Sequence, residues 1–325
     1  MAQAALPTSI EFLLPPTLRN AAGQVRTVGV EVEFAGPTAE AAVQAVRQAF
    51  GGRIVEEDPH AYRLTGSQVG DLSIELDSRM LHPAKRSGGK AGLLPRIAAW
   101  FGFAASYIVP CELVTSPVPM DRLQNVDRIL EVLRGIGAKG TQDAPFYAFG
   151  LHFNPEIPRQ DAATALAVLK SFVLLNPWLR REVAPDITRD LLGFAAPFPP
   201  AYVRKIAAPD YWPDMDTFID DYLAANPTRN RDLDLLPLLH HFDARRVREA
   251  LPNEKINGRP TFHYRLPDAR VSDAGWSIAP EWNRWVAVER LAEDRDRLNA
   301  VGSAFLAFAG EDKSWANIVE RAALQ

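Results

Sequence analysis

The sequence predicts an α+β fold: a curved, largely antiparallel sheet with helices packed outside and a polar face that forms a funnel. Three observations predict it. Strand-like runs arrive both as hairpin neighbours and after helices, without the regular alternation a parallel βαβ sheet requires. Five of these runs carry metal-ligand or anion-binding side chains on one face. The stretch 160–255 reads instead as helices and proline-rich loop, an insertion suited to substrate selection.

Residues 1–26 read as an irregular lead-in, because Pro7, Pro15 and Pro16 limit regular structure. The first strand is Val28-Gly29-Val30-Glu31-Val32-Glu33-Phe34, where apolar and acidic residues alternate with period 2. Glu31 and Glu33 then share one face, and Val30, Val32 and Phe34 the other. On this stretch alone the simpler reading is the wet face of an amphipathic strand; its recurrence later in the chain changes that reading. Pro37-Thr38 opens a helix that Gly51-Gly52 ends, and a hairpin follows between Ile54 and Leu64. Residues 70–77 alternate again, with Ser73, Glu75 and Asp77 opposite Leu72, Ile74 and Leu76.

A basic loop at 79–90 with Lys85, Arg86 and Lys90 offers either an anion site or a solvated surface. A helix at 92–103 leads into a strand at 106–115 that carries Cys111 and Glu112. An amphipathic helix at 119–134 places Leu123, Val126, Ile129, Leu130 and Leu133 at helical spacing. Gly135-Ile136-Gly137-Ala138-Lys139-Gly140 matches the dinucleotide-binding glycine pattern in letters only. That motif needs a strand before it and a helix after it; here a helix precedes, so these glycines stop the helix and make a turn.

A strand at 146–153 ends in Gly150-Leu151-His152-Phe153-Asn154, with His152 and Asn154 on a common face. A largely apolar helix at 161–182 is interrupted at Pro177, and six prolines make 184–213 an irregular excursion. Helices follow at 214–225 and 231–250. His240-His241 lies in the second, where adjacent residues point apart and disfavour a joint metal site. Thr261-Phe262-His263-Tyr264-Arg265-Leu266-Pro267 returns to a strand with His263 and Arg265 on one face. The rest is helical: one long helix at 280–309, with Trp282, Trp285, Leu291 and Leu298 as core candidates, and a shorter one after Gly310.

Bulk properties narrow the function. The chain has 325 residues, 47% hydrophobic and 23% charged, as ordinary globular proteins do. A net charge of −4 gives no electrostatic footprint for nucleic acid. We expect no membrane partner, because no apolar run approaches spanning length. Residues 1–10 lack the charged start and apolar core of a secretory signal. The single cysteine, Cys111, reads as a buried structural thiol and fits a reducing, cytoplasmic location.

The five runs supply Glu31 with Glu33, Glu75 with Asp77, Glu112, His152 with Asn154, and His263 with Arg265. Scattered solvent-facing strands would carry more Lys and Thr, so these read as the lining of one cavity. The donor set suits Mg²⁺ or Mn²⁺ held by carboxylates with one or two histidines. Such sites usually handle phosphates, whose oxygens the metals screen and orient.

In order, Gly-Val-Glu-Val-Glu-Phe, Ile-Glu-Leu-Asp, Glu-Leu-Val-Thr-Ser-Pro, Gly-Leu-His-Phe-Asn and His-Tyr-Arg-Leu-Pro resemble the amidoligase family. That family groups with the glutamine synthetase and glutamate–cysteine ligase-like carboxylate–amine ligases. The resemblance spans about residues 28–290 and implies a glutamine synthetase-like catalytic domain over 27–325. It implies an ATP-dependent enzyme that phosphorylates a substrate carboxylate, after which an amine displaces phosphate. It also implies that Glu31, Glu33, Glu75, Glu112 and His152 are metal ligands and that Arg265 stabilises the transferring phosphoryl group. The family motif usually places Glu where His263 stands, which makes His263 a sixth metal-ligand candidate better matched to Mn²⁺ than to Mg²⁺. Asn154 stands where a second histidine is common, and with Asp77 it is a substrate-binding candidate. The expected substrates are a small carboxylate and an amine, drawn from amino acids, polyamines or peptides. A metal-dependent hydrolase on the same acidic sheet is one alternative. A non-catalytic nucleotide- or metal-binding protein, favoured by His263, is the other.

Overall fold

The structure, a computed structural model, describes residues 11–76, 110–144, 147–184, 195–310 and 312–324. Asp77, the basic loop at 79–90, the helix expected at 92–103 and the start of the strand expected at 106–115 lie outside the described residues.

The sequence alternation of the first strand sets up the sheet. In β1 (Thr27–Phe34) burial alternates strictly, with Val28, Val30, Val32 and Phe34 fully buried. Helix α1 (Ala39–Phe50) follows, capped by Thr38, whose Oγ1 accepts from the Ala41 amide. The hairpin β2 (Arg53–Asp58) and β3 (Ala61–Thr65) leads to β4 (Leu72–Leu76), and α1 packs against β3 and β4. Next come β5 (Cys111–Thr115), the short β6 (Val118–Pro119) and α2 (Gln124–Gly135). Gly137, at φ 86°, makes the turn after α2, as expected of a stop signal.

Strand β7 (Leu151–Pro155) starts later than the expected 146–153. Beyond it, α3 (Ala162–Val183) runs unbroken through Pro177. Proline in a helix interior costs about 3 kcal/mol; here the helix is held by burial of most of its length. It is also long and apolar enough to cross a membrane, contrary to expectation, but it is largely buried inside the protein as core helices are. The expected irregular excursion contains α4 (Pro200–Ala207), because Pro200 at its start has the φ a first helical turn needs. Helix α5 (Met215–Ala225) begins at its cap Asp214.

The helix expected at 231–250 is replaced by β8 (Leu233–Asp234), α6 (Leu236–Phe242) and α7 (Ala244–Ala250). Pro237 belongs to the first turn of α6, and Asp243 caps α7 by accepting from the Arg246 amide. After β9 (His263–Tyr264), the expected long helix is two: α8 (Ala279–Glu293) and α9 (Arg295–Ala307). Asp294 separates them and caps α9 through the Arg297 amide. The chain ends in α10 (Asp312–Leu324).

The sheet runs β2-β3-β4-β5-β1-β7-β9-β8, with β6 also on β1, and every pairing of named strands is antiparallel. The antiparallel α+β expectation therefore holds. The funnel does not appear: the sheet is neither closed nor strongly curled, and its end strands β2 and β8 do not meet. A two-residue β8 has too few ladder bonds to carry the sheet around.

The apolar face of the central strands packs on helices through aromatic rings. Phe153 lies 5.8 Å from Trp282, Tyr264 lies 5.7 Å from Trp285, and Phe172 of α3 meets Tyr264 edge-on at 5.7 Å. The segment before β1 is tied down too. Arg26, fully buried, forms a bidentate pair with Glu289 of α8 at 2.8 Å on both arms.

Candidate functional site

Strand register decides which side chains meet on the face opposite this core. Directly paired residues on neighbouring strands point the same way. Glu75 pairs with Glu112, and Glu112 pairs with Glu33, so three carboxylates form a row across β4, β5 and β1. One residue pair along, Glu31 stands beside His152 of β7. Tyr264 pairs with Phe153 on one side and Leu233 on the other. That register brings His263 to Asp234 and next to Asn154, and Arg265 to Asp232, where the Arg265 amide donates to the Asp232 carbonyl at 2.8 Å.

At the centre of the face the contacts are direct. Nδ1 of His152 lies 3.2 Å from Oε2 of Glu31, and the Asn154 amide donates to Oε1 of Glu31 at 2.9 Å. Nε2 of His263 lies 4.0 Å from Oε2 of Glu31, and the two imidazoles meet edge to face at 5.3 Å. Glu31, His152 and His263 each present one ligand atom, all within 4.8 Å of one another. Glu33 accepts from the Gly150 amide at 2.9 Å, which fixes its carboxylate over β7.

Burial sets the protonation of this centre. Desolvation, with lesser pushes from the Arg265 and His263 charges, lowers the pKa of His152 to about 3. Desolvation also lowers that of His263, aided by Arg265, against the pull of Asp234 and Glu31. Both rings are therefore neutral near pH 7, the state in which imidazole binds metal. Nε2 of His263 is buried and has no hydrogen-bond partner among the described residues. An orphaned nitrogen beside a carboxylate and a second imidazole is what a metal ligand looks like before the ion is added. The donor set fits a divalent cation.

Behind this centre is a shell that sequence reasoning missed. Asp234, fully buried, lies with Oδ2 at 3.6 Å from Nδ1 of His263 and at 3.0 Å from Nε of Arg229. Burial works to raise the pKa of Asp234, but His263, Arg229 and Arg265 together hold it below the ordinary carboxylate value. Asp232, also fully buried, accepts from Arg180 of α3 at 2.8 and 3.0 Å and from Asn176 at 2.8 Å. Arg265 is buried beside them and donates to the Arg229 carbonyl at 2.5 Å. The signal was present: Asp232-Leu233-Asp234-Leu235 repeats the alternation of β1.

Of the sequence-predicted residues, Glu31, His152, His263 and Asn154 converge in direct contact or close to it. Glu33, Glu75 and Glu112 form the adjoining row, and Arg265 lies beside the two histidines. The Asn154 amide holds Glu31 in place on the same face. His240 and His241 go separate ways: His240 is buried, and Nε2 of His241 lies 2.9 Å from Gln160. Cys111 is buried, its pKa pushed up to about 11 by desolvation, as expected of a structural thiol.

The antiparallel sheet thus carries, on one face, a carboxylate row and a Glu–His–His group that could hold a metal ion. The family model described as "Putative amidoligase enzyme" matches residues 24–287, and the chain belongs to that family, which implies a ligase. Neither the curated proteins nor the solved structures include a match to the chain.

Proposed function

We propose that the protein is an ATP-dependent carboxylate–amine ligase that forms an amide through an acyl-phosphate. The observation that carries this reading is the shared face of Glu31, Glu33, Glu75, Glu112, His152 and His263 within a chain of the amidoligase family. Glu33, Glu75 and Glu112 offer hard oxygen donors suited to Mg²⁺, and Glu31, His152 and His263 a mixed set suited to Mn²⁺. Bound there, the cations would screen the phosphate oxygens of ATP and polarise the γ-phosphoryl group.

The chain's own residues do the rest. The Asn154 amide and His152 hold the Glu31 carboxylate in one orientation, so its geometry is set before any ligand arrives. Arg265, buried and anchored on the Arg229 carbonyl, would stabilise charge on the phosphoryl group in flight. The substrate carboxylate oxygen attacks the γ-phosphorus and ADP leaves. The amine nitrogen then attacks the acyl carbon, inorganic phosphate leaves, and the nitrogen loses its proton. The work would take place in the cytoplasm, on small molecules rather than on nucleic acid or membrane.

The test is ADP release by the purified protein across amino acids, polyamines and short peptides, with Mg²⁺ or Mn²⁺ present. The expected result is ADP formation that needs both a carboxylate and an amine, with an amide product by mass spectrometry. ADP formed equally without the amine would point to a hydrolase and overturn the reading.

A further inference from the structure

The pairing of β8 with β9 brings Asp234 directly against His263, and both side chains are buried. Asp234 is fixed from three sides. Arg229 Nε donates to its Oδ2 at 3.0 Å, and the Leu236 amide at the start of α6 donates to its Oδ1 at 3.0 Å. His263 Nδ1 completes the set at 3.6 Å. The opposite ring nitrogen, Nε2, faces Glu31 at 4.0 Å and is without a hydrogen bond among the described residues.

A neutral imidazole carries one proton, and its two nitrogens compete for it. Asp234 lies nearer to Nδ1, at 3.6 Å, than Glu31 does to Nε2, at 4.0 Å, and its carboxylate is held in place against the ring. Glu31 is already engaged by His152 and Asn154. The proton therefore resides on Nδ1, which leaves the Nε2 lone pair aimed at Glu31 and His152. A carboxylate behind a histidine in this way fixes the ring, sets its tautomer and raises its basicity toward a metal.

We infer that Asp234 is a positioning residue which, through His263, makes Glu31, His152 and His263 a site for a borderline transition ion such as Mn²⁺, distinct from the all-carboxylate row. The inference rests on the metal side of the proposed ligase reading. It goes beyond that reading by assigning a role to Asp234, the buried carboxylate behind His263. Two imidazoles and one carboxylate favour borderline ions over Mg²⁺, which prefers oxygen. Arg229 has a supporting part: its Nε donates to Oδ2 of Asp234 at 3.0 Å and holds the carboxylate against the ring.

Two measurements on the full chain test it. In the metal-free protein, nitrogen-15 NMR of the histidine rings, with the His263 signals identified by their loss in His263→Gln, reports the tautomer. A proton on Nδ1 is the expected result, and a proton on Nε2 overturns the inference. Titration with MnCl₂, followed by the electron paramagnetic resonance of free Mn²⁺, compares the protein with Asp234→Asn. The amide can donate to Nδ1 and move the proton to Nε2, so Mn²⁺ affinity is expected to fall on the order of 10- to 100-fold. An unchanged Mn²⁺ affinity in folded Asp234→Asn overturns the inference. Should that variant fail to fold, the tautomer of the unaltered protein still decides. Absence of amine-dependent ADP release would sink the ligase reading alone, because neither measurement depends on turnover.

Discussion

Glu31 joins the two halves of the active face, since its carboxylate meets His152 and Asn154 on β7 and faces His263 on β9. Near it is Arg265, which is buried, donates to the Arg229 carbonyl and acts by its charge on both histidines. An arginine anchored in this way is rigid, and its planar fork can engage two phosphate oxygens at once. Arg265→Lys keeps the charge and loses the fork. The expected effect is a fall in kcat of about two orders of magnitude, the size of losing one transition-state donor. ATP affinity should change little, which single-turnover and equilibrium binding measurements would separate. Near-normal turnover in Arg265→Lys would make this arginine a structural partner of the buried aspartates. Glu31, His152, His263 and Arg265 were legible in the sequence because each sits in a period-2 run. Asp234 also sits in such a run, but the run is short, and Leu233, Leu235, Leu236, Leu238 and Leu239 satisfy helical spacing as well, which masked it.

Among the elements, α3 shows how apolar packing can trap a charge. Lys170 points from this buried helix to the Ala208 carbonyl at 2.9 Å and lies 4.1 Å from the ring centre of Trp212. The Arg295 guanidinium lies 4.0 Å from the centre of the same ring. Desolvation, then the Arg295 charge, lowers the Lys170 pKa from 10.5 to about 8. The unfolded chain therefore binds more protons than the folded one between about pH 8 and 10.5, and the lysine's contribution to stability rises with pH across that window. Below pH 8 the cost of burying the ammonium is fully present. Urea unfolding of the protein and of Lys170→Met, compared at several pH values, isolates this slope. The stability of the protein relative to the variant should rise by roughly 1 kcal/mol per pH unit through the window. A flat difference would mean that Lys170 titrates like an exposed lysine. The element boundaries most clearly misjudged from sequence, at Pro237 and Asp294, share one cause. Apolar residues continue at helical spacing across both, so a proline in a first turn and a capping aspartate were hidden inside an unbroken pattern.

For the whole molecule, the antiparallel sheet was legible because hairpin-like neighbours and post-helix strands cannot form a regular parallel sheet. Its openness was not, since closure depends on strand tilt and stagger that alternation does not encode. The sheet makes one molecule-wide consequence testable. Its central strands β4, β5, β1, β7 and β9 all contribute to the carboxylate row or the Glu–His–His group, and these groups lie apart in an unfolded chain. A cation held there binds the folded state and not the unfolded one, so it stabilises by mass action, about 2.7 kcal/mol at a hundredfold excess over Kd. In a chain of this size that corresponds to a rise in Tm of roughly 4 °C. Calorimetric melting of protein stripped with a chelator, then supplied with Mn²⁺ or Mg²⁺, should show the rise. Glu33→Gln should reduce it without lowering the Tm of the stripped protein. The amide oxygen of Gln can still accept from the Gly150 amide while the charge is gone. A Tm shift of the same size in Glu33→Gln would remove Glu33 from the cation site, and no shift in either protein would remove the cation from the folded state altogether.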